Sequence, residues 1–156
     1  MKWNVYLSGE IHSSWREEIA KATERLNLPI TLTASVTDHS ASDNCGTELL
    51  GSESEPFWKD HKAAKINAIR TRTLIRHADI VVIRFGETYR QWNAAFEAGY
   101  ACALGKPLIT LHEENLSHAL KEVDAAAQAV AQTPQQVANI LEYLLNDITI
   151  AAGSSA

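Results

Sequence analysis

The chain has 156 residues, 46% of them hydrophobic and 21% charged, which suits one domain around one sizeable core. A net charge of −5 argues against a general binder of nucleic-acid polymers, which needs a basic surface. Cys45 and Cys102 stand far apart and outside any CxxC pattern, so neither a disulfide framework nor a zinc ribbon is expected; no apolar run approaches the roughly 18 residues of a membrane span, and "MKWNVYLSGE" has no apolar leader core, so the expected location is cytoplasmic.

"WNVYL" (3–7) is short, apolar and β-rich, and "SGE" turns the chain after it. "SSWREEIAKATERLNL" (13–28) reads as a helix with Ile19, Ala22 and Leu26 on one stripe and capping-box spacing at Ser14 and Glu17. "PITLTAS" (29–35) is a second strand. The polar stretch 36–57 reads as a long loop, of the length that serves as a binding loop or lid. A long helix is predicted over 58–78, and a buried strand, "DIVVIRF", over 79–85. A helix over about 91–104 and a strand over 107–112 follow. "KEVDAAAQAVAQ" (121–132) divides into a short helix and a weak edge strand near 128–131. The last helix, 133–147, has Thr133 as cap and Pro134 at its first position.

Strands alternating with helices imply a parallel sheet covered on both faces. Right-handed crossovers then make an α/β, flavodoxin-like three-layer sandwich of about five strands, in order 2-1-3-4-5, the simplest solution. One domain over 1–150 and a frayed tail over 151–156 are expected.

Ligands of such sheets bind beyond the carboxyl ends of the strands, where strands 1 and 3 diverge. "YLSGE" (6–10), the 36–57 segment and "GETYRQW" (86–92) all leave strands at that end. Asp79 starts its strand at the other end and reads as structural. No G-x-G-x-x-G follows strand 1 and no P-loop is present, which disfavours dinucleotide and P-loop nucleotide sites, and no cofactor is expected.

One carboxylate, Glu97, lies inside the apolar helix among Ala94, Ala95, Ala98, Gly99 and Ala101. Buried acids are rare unless paired, so Glu97 is either a structural acid, paired with Arg84 or Arg90, or a nucleophile or general base. Tyr6, at the end of strand 1, is either a core aromatic or the group that orients it. Six of the fourteen Lys and Arg lie on helix 58–78, and with Arg84 and Arg90 they read as a solvated face or as a site for an anion such as a 5′-phosphate near Arg90. "DHSASDNCG" (38–46) shows no recognised metal-ligand spacing and reads as a substrate loop. Trp92 and Phe57 are core residues or base-stacking platforms, Cys102 packs as a small hydrophobe, and His61, His77, His112 and His118 have no visible partner.

"VYLSG", "ADIVVIRF" and "NAAFEAGYACALGKPLI" together resemble the strand-end signature, the aspartate-initiated strand and the Glu-Gly-Ala helix of the nucleoside 2-deoxyribosyltransferases, over roughly residues 3–112. The whole chain looks most similar to the YtoQ-type branch. The resemblance implies chemistry at an N-glycosidic bond. It makes Glu97 the nucleophile on C1′ and Tyr6 its companion, with base transfer or hydrolysis to follow. It also implies a small-molecule nucleoside or nucleotide partner and a homo-oligomer; with no recognised ligand spacing, no metal is expected. Ser8, Gly9, Glu10, Asp38, His39, Asp43, Arg90, Trp92 and Asn93 are the expected substrate-binding residues. Where such enzymes usually carry acids, this sequence has Thr71 and Gln91, and Glu10 replaces the signature proline. Glu10, Asp38, His39 or Asp43 could supply a proton instead. The alternative is a non-catalytic nucleotide-binding or sensing module on the same fold.

Overall fold

The computed structural model describes residues 2–146. Its strands are β1 (Trp3–Gly9), β2 (Ile30–Ala34), β3 (Ile80–Arg84), β4 (Leu108–Leu111) and β5 (Ala129–Ala131). Its α-helices are α1 (Trp15–Arg25), α2 (His39–Leu50), α3 (Pro56–His77), α4 (Trp92–Ala103), α5 (Ser117–Ala126) and α6 (Pro134–Leu145). All strand pairings are parallel, in the order β2-β1-β3-β4-β5, as the alternating sequence pattern implies.

Both faces of the sheet are buried. On one, Val5, Leu7, Val82 and Ile109 pack with Ile19 of α1 and Val137 and Leu141 of α6. On the other, Tyr6, Val81, Ile83 and Leu108 pack with Ile75 of α3 and Ala94, Ala98 and Ala101 of α4. Burial on both faces is why the central strands read as unbroken apolar runs. Asp79 is structural, as expected: its carboxylate accepts the Asn4 backbone N–H at 2.8 Å, tying β1 to the start of β3.

Four local expectations change. The 36–57 stretch is not a loop, because it contains α2. Asp38 caps that helix, its Oδ1 accepting the Ala41 N–H at 2.8 Å. The helix has no apolar stripe because it packs through a small residue: a Cβ on Gly46 would lie 2.5 Å from the Ala63 nitrogen of α3. The Ser14–Glu17 capping box does not form; the Ser14 hydroxyl donates to Glu18 instead, at 2.7 Å. A capping box does form at Thr133 and Gln136. Cys102 is exposed rather than packed. His112 is buried and does have a partner, the Asp124 carboxylate, 3.0 Å from its Nε2. Position 147 and the 151–156 tail lie outside the described residues.

Candidate active site

β1 alternates its side chains, so Tyr6 and Ser8 fall on the same face, the one covered by α4. Ala94, Ala98 and Ala101 let α4 lie close to that face, and Glu97 meets β1 there. The Tyr6 hydroxyl donates to Glu97 Oε2 at 3.1 Å, and the Ser8 hydroxyl donates to the same oxygen. Among the described residues no hydrogen bond reaches Oε1. No arginine pairs with Glu97: Arg84 instead pairs with Glu113 at 2.5 Å, and Arg90 stacks over Trp92 with its guanidinium 5.9 Å from the ring centre.

Burial raises the Glu97 carboxyl above its ordinary range, while the Ser8 and Tyr6 hydrogen bonds and the Arg16 charge act to lower it. Tyr6 is raised too, first by burial and then by the Glu97 charge, with hydrogen bonding to Thr71 and Ser35 opposing. Tyr6 therefore stays a proton-bearing donor to the carboxylate. Thr71, at the position where the resemblance implies an acid, is thus a neighbour of the Tyr6 hydroxyl. Gln91 sits at the start of α4, its side-chain oxygen accepting the Gly86 N–H at 3.2 Å.

The turn after β1 is held by its own polar groups. Gly9 has φ +107°, and a Cβ there would collide with the Arg84 carbonyl oxygen, so only glycine fits. Arg16 donates to the carbonyls of Glu10 at 2.6 Å, Gly9 at 3.1 Å and Leu7 at 3.4 Å, on both sides of Ser8. Sequence reasoning missed Arg16. Its signal was a cation in the first turn of α1, where the helix dipole disfavours positive charge.

Glu97 lines a cavity of about 580 Å³, within the range of small-molecule sites. Ser8, Gly9, Glu10, His39, Asp43, Arg90, Trp92 and Asn93 line it as well, so the structure brings these expected residues together. Tyr6 stands behind Glu97, fully buried. Asp38 does not line the cavity, because it is spent on capping α2. Glu10 lines the wall, but its carboxylate accepts from the His12 N–H and the Ser13 hydroxyl, so both oxygens are engaged within its own turn. Asp43 pairs with His39 at 3.2 Å on the exposed side of α2. Trp92 is 70% exposed at the cavity wall, and Phe57, 68% exposed, lies outside it; neither is a core residue. Arg70 and Arg72, among the cations read from the sequence as a solvated face or an anion site, line the cavity, and so does His12, which the sequence did not single out. Among the described residues no group of three or more His, Cys, Asp or Glu side chains could hold a metal, and no helix is long and apolar enough to cross a membrane.

The family model described as nucleoside 2-deoxyribosyltransferase YtoQ matches residues 6–145. The chain belongs to the YtoQ family. It is 47% identical over 144 residues to the uncharacterized protein YtoQ of Bacillus subtilis (strain 168), covering 92% of this chain and 97% of that one. Among solved structures, a conserved protein of Enterococcus faecalis V583 aligns with TM-score 0.62 at 13% identity, over 93% of this chain and 100% of that one. A 2-deoxyribosyltransferase of Bacillus psychrosaccharolyticus aligns with TM-score 0.51 at 20% identity, over 87% and 90%. DNA processing protein A of Helicobacter pylori, described in a single-stranded DNA binding mode, aligns with TM-score 0.53 at 18% identity, over 92% and 81%. At these identities the structural likenesses show the fold alone.

The direction of the Glu97 shift has a consequence for this YtoQ-family chain. With the folded value above the unfolded one, the native state binds more protons in the window between them. The group's contribution to stability is then full at pH below the unfolded value and is lost as pH rises through the folded value. Glu97→Gln is expected to be more stable than the native chain at pH 8, with the difference vanishing below about pH 4, the ordinary range of a free glutamate. Urea denaturation at both pH values checks this, and a variant less stable than native at pH 8 contradicts it.

Proposed function

We propose that this YtoQ-family protein cleaves the N-glycosidic bond of a nucleoside or nucleotide, passing the sugar to another base or to water, with Glu97 as nucleophile. The observation that carries the reading is the asymmetry of the carboxylate: Tyr6 and Ser8 both donate to Oε2, and among the described residues Oε1 has no hydrogen-bond partner, on a residue that lines the cavity. A carboxylate fixed through one oxygen presents the other in a set direction, as attack on an anomeric carbon requires. The oxocarbenium-like transition state is positively charged, and a buried carboxylate stabilises it strongly. Family membership and the fold shared with a 2-deoxyribosyltransferase support the same chemistry.

Ser8, Gly9 and Asn93 would contact the sugar side of the substrate, Trp92 would offer its ring to the base, and Arg90 and His39 would meet polar or anionic groups at the rim. A non-catalytic sensing module remains the second reading. The observation in its favour is that Glu10, Asp38 and Asp43 are all engaged elsewhere.

Assembly belongs to the same proposal. Trp92 and Phe96 are 70% and 62% exposed along one side of α4, and nothing lies within 4 Å of where a Gly99 Cβ would stand. A surface this apolar beside the cavity favours a second copy of the chain as its cover. Sedimentation velocity should show a dimer or larger species that Phe96→Glu dissociates; a native monomer at micromolar concentration contradicts the assembly.

The activity test is base release from a panel of ribo- and deoxyribonucleosides and their monophosphates, with and without a free acceptor base. Glu97→Ala, checked for folding by its melting transition, should lose about 10³-fold or more of the release rate. Native release that survives in the folded variant removes Glu97 from the chemistry, and no native release across the panel turns the reading toward the sensing module.

A further inference from the structure

Breaking a glycosidic bond to a neutral base leaves negative charge on the base unless a proton arrives as the bond breaks. Glu97 cannot supply it, because a nucleophile must be ionised. Glu10 cannot either, with its carboxylate held by the His12 N–H and the Ser13 hydroxyl. Arg70, Arg72 and Arg90 line the cavity but do not release protons near neutrality. Of the other proton-bearing groups that line the cavity, Asp43 pairs with His39, Asp60 is exposed on α3 and Tyr89 packs on His12, and there remain two imidazoles, His12 and His39.

The two are held differently. His39, at the start of α2, has 73% of its side chain exposed, and its Nδ1 is engaged by Asp43. His12 stands on the turn after β1, four residues beyond Ser8, the donor to Glu97. Its backbone N–H is fixed on Glu10. Its ring lies against Tyr89, with centroids 4.6 Å apart and planes at 43°. Tyr89 belongs to the loop between β3 and α4, which leads into the helix bearing Glu97, and both rings line the cavity. The stack therefore joins the two loops that flank the end of the β1–β3 crevice and sets an imidazole in the cavity wall.

Resting on the N-glycosidic reading above, we propose that His12, positioned by its stack on Tyr89, is the proton donor to the departing base. In the first step Glu97 Oε1 bonds to C1′ and the C1′–N bond breaks. Its electron pair passes into the base, which takes a proton from the His12 imidazolium. In the second step a water oxygen bonds to C1′, the ester to Glu97 breaks, and the water's proton passes to the His12 imidazole. Histidine suits both directions because its two forms are both available near neutral pH.

The test uses two substrates that differ in needing that proton: 2′-deoxyguanosine, and 7-methyl-2′-deoxyguanosine, whose base is already cationic and leaves neutral. Native protein is expected to release both bases faster than the spontaneous rate measured without protein, and Glu97→Ala neither. His12→Gln is expected to lose about 10²- to 10⁴-fold on guanine release while 7-methylguanine release stays within about threefold of native. Tyr89→Phe, which keeps the stack, should behave as native on both substrates, and Tyr89→Ala should show a weaker form of the His12→Gln pattern. Equal losses on the two substrates in His12→Gln overturn the assignment. So does the same discrimination appearing in His39→Gln instead, or native protein that fails to release both bases. Glu97-dependent release of 7-methylguanine without discrimination in His12→Gln leaves the glycosidic reading standing and removes His12 alone.

Discussion

The site depends on one cross-link, the pair of hydroxyl donors from β1 that grip a single oxygen of Glu97. Taking a carboxylate out of water is costly, and burial does push this one toward its neutral form. Two hydrogen bonds and the Arg16 charge oppose that push. The result is a carboxylate held in place without being neutralised by an ion pair. An arginine on both oxygens would have held Glu97 as firmly and left neither oxygen without a partner. Arg84, one of the two candidates in the sequence, is instead drawn to Glu113.

The architecture around that cross-link follows from what it requires. Tyr6 and Ser8 share a strand face only because β1 is regular up to Gly9, and the chain then turns sharply where a Cβ would strike Arg84. Arg16 reaches back from α1 to three carbonyls of this turn, so the loop carrying Ser8 is fixed from behind. On the other side, the alanines of α4 bring the helix close enough for a glutamate to reach β1. Large residues at Ala94 or Ala98 would lift the helix and break the bond to Tyr6. The α2–α3 pair, joined closely at Gly46 and Ala63, adds the far wall of the cavity and contributes His39, Asp43 and Thr71 to it.

The sheet and its order were legible because the central strands are apolar on both faces and alternate with helices. Glu97 and Tyr6 were legible as a pair because a lone acid among alanines, and a tyrosine at a strand end, converge on the same crevice in this topology. What the sequence hid was local and polar. α2 has almost no apolar periodicity; it is nucleated by the Asp38 cap and packs through a glycine, and neither signal survives in a hydrophobic pattern. The same hydrogen bond removed Asp38 from the site. Glu10 looked available for proton transfer, yet the turn it sits in consumes it. His12 acquires its partner, Tyr89, from a loop 77 residues away in the chain, a contact that no local spacing encodes. Thr71, where the resemblance implies an acid, puts a neutral hydroxyl near the Tyr6 hydroxyl, the companion of Glu97.

The claim at the centre of this account is that Glu97 Oε1 bonds to the sugar. The direct measurement is intact-mass and peptide mapping after incubation with a 2′-deoxy-2′-fluoro nucleoside, whose electron-withdrawing fluorine destabilises the oxocarbenium-like transition state of both steps and so prolongs the life of a covalent adduct. The expected result is a mass increase equal to one fluorinated sugar residue, located on the peptide containing Glu97 and absent in Glu97→Gln. Release of base from natural nucleosides without any such adduct, or an adduct on a different residue, would contradict the account.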